Sequence, residues 1–265
     1  MSVLNYRLKN GTIYTGQVYI RPKTKKPVPH GNGKALFANG CIYVGTWQHG
    51  KMHGIGYFTE PKKNYYNGNF FHNQKDGYGK LTFYKGAIKS VEGTWQKDML
   101  TGIGYICYEN GSTYYGEIKN FMMHGLGNYH DIDGTAIRGI WRENKLLAIF
   151  SVENSLMKVI IISEQKCRIK YYDGSVYVGS YDSLYRPDGH GKMRYHDKSI
   201  YNGFWSNGYR QGYGFYLEFN GDYYNGQWYH NKRHGIGIYC RSGIQAIEFA
   251  WDSDHMVSIL RKYDF

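Results

Sequence analysis

Glycine-rich motifs recur along the chain and are the first candidates for chemistry. They have the form His-Gly-x-Gly or a close variant, and the clearest copies start at His53, Asp76, Thr101, His124, Gln211 and His234. Gly-x-Gly resembles a fragment of a phosphate-binding loop, which works because a helix N-terminus follows it. Here a strand-like segment follows each copy and the motif recurs in every unit. The pattern therefore argues against a nucleotide site.

Histidines in related positions could ligate a metal, and the copies are His30, His53, His124, His190 and His234. Equivalent positions in adjacent two-strand units of a sheet lie about 10 Å apart, whereas zinc needs its nitrogen ligands about 2 Å away. Copies of one position cannot converge on one ion, so we expect a turn role for them. No Ser/His/Asp or Cys/His set stands out either. The sequence therefore predicts no catalytic residue, no metal site and no cofactor, and it favours a protein that is not an enzyme.

A second motif, Tyr-x-Gly-x-Trp, shows what positions these glycines. Its clearest copies are Tyr43–Trp47, Tyr66–Phe70, Tyr201–Trp205 and Tyr224–Trp228. Counting the weaker copies, most steps are 23 residues, some depart by one or two residues, and one step, from Ile137 to Tyr177, is 40 residues. Such a period is the signature of a repeat architecture. The six tryptophans share one slot of the motif, at positions 47, 95, 141, 205, 228 and 251. We interpret this slot first as a packing position and second as a binding stripe.

Each unit reads as two strands joined by tight turns. Asn-Gly and Asp-Gly pairs, which supply the positive φ that such turns need, stand at Asn39, Asn110, Asp133, Asp173 and Asn220. An aromatic content of 18% with 35 glycines argues against a disordered chain and favours strands. The sequence therefore predicts an all-β fold, an elongated single-layer antiparallel β-meander of about ten hairpin repeats of period 23, forming a solenoid-like ribbon.

The repeat pattern divides the chain into four segments. Residues 1–145 form an N-terminal array, 146–170 are degenerate strands or an interruption, 171–251 form a C-terminal array, and 252–265 are a capping tail. Within the tail, Met256–Leu260 reads as a final strand or a short helix.

Charge and cysteine content suggest the surroundings of the protein. The formal net charge is +12, and four cysteines lie far apart. Residues 1–10 contain no apolar run of the kind that a signal peptide has. We therefore expect an intracellular, cytoplasmic protein with reduced thiols. A basic loop within residues 20–29 carries the candidate lipid-binding residues Arg21, Lys23, Lys25 and Lys26; the alternative is a solvated loop. Nucleic acid is a weaker candidate partner, because the other positive charges are dispersed and the aromatic residues serve packing.

The chain resembles a known family of repeat proteins. The pattern Tyr-x-Gly-x-Trp-x-x-Gly-Lys-x-His-Gly-x-Gly at residues 43–56 is similar to the MORN (membrane occupation and recognition nexus) repeat. The resemblance covers nearly the whole chain except residues 146–170 and the tail. It implies an elongated single-sheet β fold and a scaffold function, as in junctophilin-type membrane tethers, radial spoke head proteins of cilia and basal-complex proteins of parasites.

Two functional hypotheses follow. The first is a non-catalytic scaffold or adaptor, in a cytoskeletal or ciliary assembly, that binds an extended peptide or a helix along an aromatic-lined groove; the groove residues are Trp47, Tyr66, Trp95, Tyr114, Trp205, Tyr224 and Trp228. The second is a peripheral membrane protein that binds anionic lipid through the basic loop. A homodimer formed through the open ends of the sheet stays a further alternative.

Overall fold

Antiparallel strands make up almost the entire structure. The computed structural model describes residues 1–61, 64–241 and 246–263 and divides into two compact units, Met1–Ala148 (unit 1) and Ile149–Phe265 (unit 2). The strands of unit 1 are β1 (Ser2–Arg7), β2 (Ile13–Ile20), β3 (Pro27–Leu36), β4 (Ile42–Gln48), β5 (Lys51–Thr59), β6 (Tyr65–Phe71), β7 (Gln74–Thr82), β8 (Ile88–Gln96), β9 (Met99–Tyr108), β10 (Thr113–Lys119), β11 (Met122–His130) and β12 (Ala136–Arg142). Strand β13 (Lys145–Glu153) runs across the unit boundary.

Unit 2 continues with the same kind of element. Its strands are β14 (Met157–Ser163), β15 (Lys166–Tyr171), β16 (Val176–Tyr181), β17 (Pro187–Arg194), β18 (Ile200–Ser206), β19 (Tyr209–Leu217), β20 (Tyr223–Tyr229), β21 (Lys232–Cys240), β22 (Ala246–Asp252) and β23 (His255–Tyr263). Within each unit, successive strands pair antiparallel. The predicted all-β antiparallel meander is confirmed. In the part of the chain that is described, no helix is long and apolar enough to cross a membrane.

The degenerate stretch and the tail also form strands. Residues 146–170 contain most of β13, all of β14 and most of β15, and β14 pairs with both of its neighbours. Of the two alternatives for Met256–Leu260, the structure shows the strand, since these residues lie within β23. The backbone of this last strand therefore pairs with β22.

The two glycines of each Gly-x-Gly motif have different physical roles. Gly54 has φ +65° and lies where the β4–β5 register shifts, so it supplies the left-handed conformation of a β-bulge. Gly56 pairs with Gly45 across the strands, and a Cβ on Gly56 would overlap the ring of Tyr43. The first glycine therefore meets a backbone requirement, whereas the second leaves room for an aromatic ring that lies on the sheet.

These rings form the core of each unit. The Tyr43 hydroxyl donates to the carbonyl of Thr46 at 2.9 Å, which holds the ring flat over the glycine pair. Trp47 packs edge-on against Tyr43 at 5.1 Å and against Tyr14 of the preceding repeat at 5.4 Å between ring centroids. Its indole nitrogen donates to the carbonyl of Gly33 at 3.2 Å. A single-layer sheet thus obtains a core from one ladder of interlocked aromatic residues, one step per repeat.

Hairpin turns at one end of the strands connect neighbouring repeats. Asn73 has φ +77°, and its side-chain oxygen accepts from the backbone nitrogen of Met52 at 2.8 Å. Asp98 repeats the arrangement with Lys75 at 2.9 Å. At the other end, the Asn-Gly turns behave as predicted, since Gly40 and Gly111 have φ of +82° and +95°. These turns therefore have residue types that suit their backbone.

Candidate partner-binding surfaces

The seven residues of the predicted aromatic groove lie in the core. Each is at most 6% exposed; the seven are Trp47, Tyr66, Trp95, Tyr114, Trp205, Tyr224 and Trp228. Their rings cover glycine backbone and pack on one another, so little of their surface is free to touch a partner. Whether the chain binds a partner stays a prediction. The contact residues, however, have to be sought among exposed side chains.

Burial also determines the protonation of these phenols. It raises the pKa of Tyr43 and of Tyr114 from the ordinary 10.0 to about 12. The pKa of the Cys167 thiol rises to about 11 for the same reason. The aromatic ladder therefore carries neutral hydroxyls at physiological pH, which suits packing and hydrogen-bond donation.

The opposite face of unit 1 exposes a regular apolar row. It consists of the middle residues of four Gly-x-Gly motifs, and we call it the apolar stripe: Ile55, Tyr78, Ile103 and Leu126 on β5, β7, β9 and β11. The motif on β3 has Asn32 in this position. Side chains alternate between faces of a strand, so these residues point away from the ring that covers the adjacent glycine. Ile55 is 69% exposed and Ile103 is 60% exposed. Sequence reasoning assigned the glycines but did not use the residue between them.

Histidines of the repeats do not have the expected turn role. His53, His124 and His234 lie within β5, β11 and β21, next to the bulge glycine. That expectation was wrong because the strand begins two residues earlier, directly after the hairpin turn. Among the described residues, no group of three or more His, Cys, Asp or Glu side chains is placed to hold a metal ion. No disulfide joins the cysteines Cys41, Cys107, Cys167 and Cys240 within the described residues.

Basic side chains converge on a cleft in unit 1, which we call the basic cleft. Its volume is about 730 Å³, and five cations line it: Arg7, Lys9, Arg21, Lys26 and Lys51. Of the four basic residues predicted from sequence, Arg21 and Lys26 line the cleft, whereas Lys23 and Lys25 do not. Arg7, Lys9 and Lys51 could not be grouped with the loop from sequence, because they come from the end of β1, the turn after it and the start of β5.

A second cavity in unit 1 has a different character. It measures about 680 Å³ and is lined by aromatic and aliphatic side chains, including Tyr108, Met123, Tyr129 and Trp141, with Glu109 as its one acidic residue among the described lining. We call it the Trp141 cavity. The Tyr108 hydroxyl is buried and has no hydrogen-bond partner in the described structure.

Cations lie over the tryptophan rings in three other repeats. The guanidinium of Arg210 lies 4.2 Å from the Trp228 ring, and that of Arg233 lies 4.2 Å from the Trp251 ring. The Lys75 ammonium lies 5.5 Å from Trp95 and pairs with Asp98 at 3.7 Å. These distances are within the range of cation–π attraction. The tryptophan slot therefore has two functions inside the chain, ring packing and cation binding.

Comparison with known proteins places these features in a family. The family model for the MORN repeat matches residues 28–42, 43–63, 66–88, 92–113, 114–136, 183–200, 201–223 and 224–244. Among curated proteins, no relative matches the chain.

Solved structures offer only a weak likeness. The wild-type TCP10 domain of Danio rerio CPAP is 9% identical, with 100% of each chain covered and a TM-score of 0.29. The SAS-4 (dCPAP) TCP domain of Drosophila melanogaster, in complex with a proline-rich motif of Ana2 (dSTIL), is 12% identical. There the alignment covers 64% of this chain and 82% of that one, with a TM-score of 0.25. Scores this low do not establish a common overall fold.

Proposed function

The chain belongs to the MORN repeat family, and from that premise we propose that it is a non-catalytic scaffold that binds a partner polypeptide along the apolar stripe of unit 1. The exposure of four apolar side chains in equivalent positions carries this proposal. Leaving such side chains in water is unfavourable, and apolar side chains exposed in a regular row are candidates for a protein interaction site. The aromatic core behind the stripe holds it in a rigid register.

The spacing of the stripe favours a helix as the bound element. Its residues lie on every second strand, which places neighbours about 10 Å apart. Seven residues of an α-helix rise about 10.5 Å, so a helix crossing the strands would present one apolar residue to each repeat. Polar neighbours such as Glu92 and Lys80, which pair at 3.5 Å, flank the stripe and would set the orientation of the helix.

Affinity capture with matched variants tests this function. The tagged protein and its Ile55→Ser/Ile103→Ser variant are used in parallel to capture proteins from the native cell, with Ile259→Ser as the control for an exposed isoleucine in unit 2. We expect a small set of proteins, of cytoskeletal or ciliary origin, that the stripe variant loses and the control retains. A purified segment of one of them should then gain helical circular dichroism on binding. If the stripe variant captures the same set as the parent protein, the stripe is not the contact surface.

The basic cleft supports a second candidate function. Five cations without an ion pair among the described residues would attract an anionic membrane surface. Binding to vesicles of phosphatidylcholine with phosphatidylserine should then fall steeply as salt rises. It should also fall in the Arg21→Ser/Lys26→Ser variant, which changes the cleft, and much less in Lys23→Ser/Lys25→Ser, which removes the same charge outside it. Equal loss in both variants would show that only loop charge matters, and salt-independent binding would exclude the mechanism.

A further inference from the structure

Three aromatic residues and a cation form a cage in each of two repeats of unit 2. Arg210 lies over Trp228 and also contacts Tyr216 at 5.1 Å and Tyr201 at 5.7 Å from the ring centroids. Arg233 has the same three kinds of neighbour, Trp251 at 4.2 Å, Tyr239 at 5.8 Å and Tyr224 at 5.9 Å. In both repeats the arginine follows the first tyrosine by nine residues and precedes the tryptophan by 18.

Unit 1 contains the same cage without its cation. The spacing places Met123 in the arginine position, nine residues after Tyr114 and 18 before Trp141. The rings are present, since Tyr114 and Tyr129 lie 6.0 and 5.9 Å from Trp141. Methionine has an unbranched stem like that of arginine but no guanidinium group. The buried Met123 side chain therefore takes the place of the cation in this repeat, and no described cation lies over the Trp141 ring.

Backbone contacts show that the positions are equivalent. The nitrogen of Arg210 donates to the side chain of Asn231 at 2.7 Å, and the nitrogen of Met123 donates to that of Asn144 at 2.8 Å. The Asn231 carbonyl also accepts from the Arg210 guanidinium at 2.7 Å. Asn144 lines the Trp141 cavity, so the residue equivalent to Asn231 is present at the site. The cavity thus has two of the three cage rings in its lining, Tyr129 and Trp141, together with the residue equivalent to Asn231.

We propose that the Trp141 cavity binds an arginine side chain of a partner polypeptide, which lies beside Met123 against the parts of Tyr108, Tyr129 and Trp141 that line the cavity. The volume of about 680 Å³ accommodates a guanidinium with its stem. Glu109 is the one charged residue among the described lining residues, and its carboxylate complements a cation. The inference rests on the proposed scaffold function and specifies the chemistry of a second contact with the partner.

If the cavity selects a cation, it should bind a charged probe more tightly than a neutral probe of nearly the same shape. The probes are N-acetyl-arginine amide and N-acetyl-citrulline amide, which is nearly isosteric but neutral. Binding is followed by the NMR shift of the Trp141 indole N–H, assigned with Trp141→Phe. We expect a saturable shift with the arginine probe and at least about fivefold weaker binding of the citrulline probe. Equal affinities, or no saturable shift of Trp141, would overturn the proposal.

Two variants test the cage directly. Met123→Arg supplies the missing guanidinium from the chain, as Arg210 does, and should abolish binding of the arginine probe while the protein stays folded. Met99→Arg makes the same chemical change at an exposed residue outside the cavity and should leave binding unchanged. Retained binding in Met123→Arg, with Trp141 still responding, would overturn the assignment.

An apolar occupant is the remaining alternative. N-acetyl-phenylalanine amide serves as its probe, and tighter binding of this probe than of the arginine probe would show that the cavity selects apolar groups. Glu109→Gln should weaken binding of the arginine probe about threefold and leave binding of the citrulline probe unchanged. Because these titrations need no partner protein, their failure is distinguishable from failure of the capture experiment.

Discussion

Replacement of Gly56 by alanine tests the central claim about the fold, that glycine is needed where a tyrosine ring lies on the sheet. Gly56 lies outside the left-handed region, so alanine introduces no backbone strain there. The three heavy atoms nearest to the added Cβ all belong to the ring of Tyr43, and that ring is fully buried. Any destabilisation by Gly56→Ala therefore comes from displacement of one side chain.

The loss of unfolding free energy expected for Gly56→Ala lies between two limits. Overpacking of a well-packed core costs about 1–3 kcal/mol, and complete loss of a buried aromatic side chain costs about 3–5 kcal/mol. Because the ring meets the added methyl group with several atoms and is held by a hydrogen bond to the Thr46 carbonyl, we expect about 3 kcal/mol for Gly56→Ala. The assay is urea unfolding followed by tryptophan fluorescence and circular dichroism.

A double-mutant cycle separates this cause from others. In a Tyr43→Ala background the obstacle is absent, so Gly56→Ala should be neutral or should stabilise by about 0.5 kcal/mol, as expected for glycine to alanine in a strand. Gly102→Ala is the control for a glycine that is needed for its backbone conformation alone. Its φ is +72°, and nothing lies within 4 Å of the added Cβ. It should cost about 1–2 kcal/mol in either background. Additive costs for Gly56→Ala and Tyr43→Ala would refute the reasoning.

Three further predictions concern the turns, the phenols and the cation–π contacts. Asp98→Ala should lower the free energy of unfolding by about 1–2 kcal/mol, because it removes the acceptor for the Lys75 nitrogen and places alanine at φ +67°. Asp98→Asn should retain most of the stability of the parent protein. Equal losses for the two variants in urea unfolding would contradict this prediction. The pKa of Tyr43 and Tyr114 is raised above the unfolded value of 10.0, so the unfolded chain loses these protons first and stability should fall as pH rises from 10 towards 12; a flat unfolding midpoint over that range would contradict it. Arg210→Met should cost about 1 kcal/mol and alter Trp228 fluorescence, whereas unchanged fluorescence would show that the guanidinium does not contact the ring in solution.

Several features of the site could have been found in the sequence but were missed. Asn73, Asp98 and Asn144 recur at one turn position, which would have indicated the hydrogen bonds between neighbouring repeats. Arg210 and Arg233 recur at one spacing from a tryptophan, which would have indicated the cation cages. Both signals were weaker than the glycine and aromatic motifs, because the residue at each position varies along the chain.

The sequence by itself determined the strand pattern, its antiparallel order and the Asn-Gly and Asp-Gly turn positions. These depend on alternation, on a period of 23 residues and on residue types that suit positive φ, all of which are local properties of the chain. Tyr43, Gly45 and Trp47 could accordingly be assigned to one face from their spacing.

Only the tertiary structure decided which face is free to bind. The tyrosine and tryptophan rings bury themselves on neighbouring glycines and on each other, so the apparent groove is the core and the residue between the glycines is exposed. The basic cleft and the Trp141 cavity likewise depend on side chains that are distant in sequence, such as Arg7 with Lys51 and Met123 with Trp141. Exposure and enclosure are properties of packed neighbours, and a repeat pattern specifies the position of a side chain without specifying what covers it.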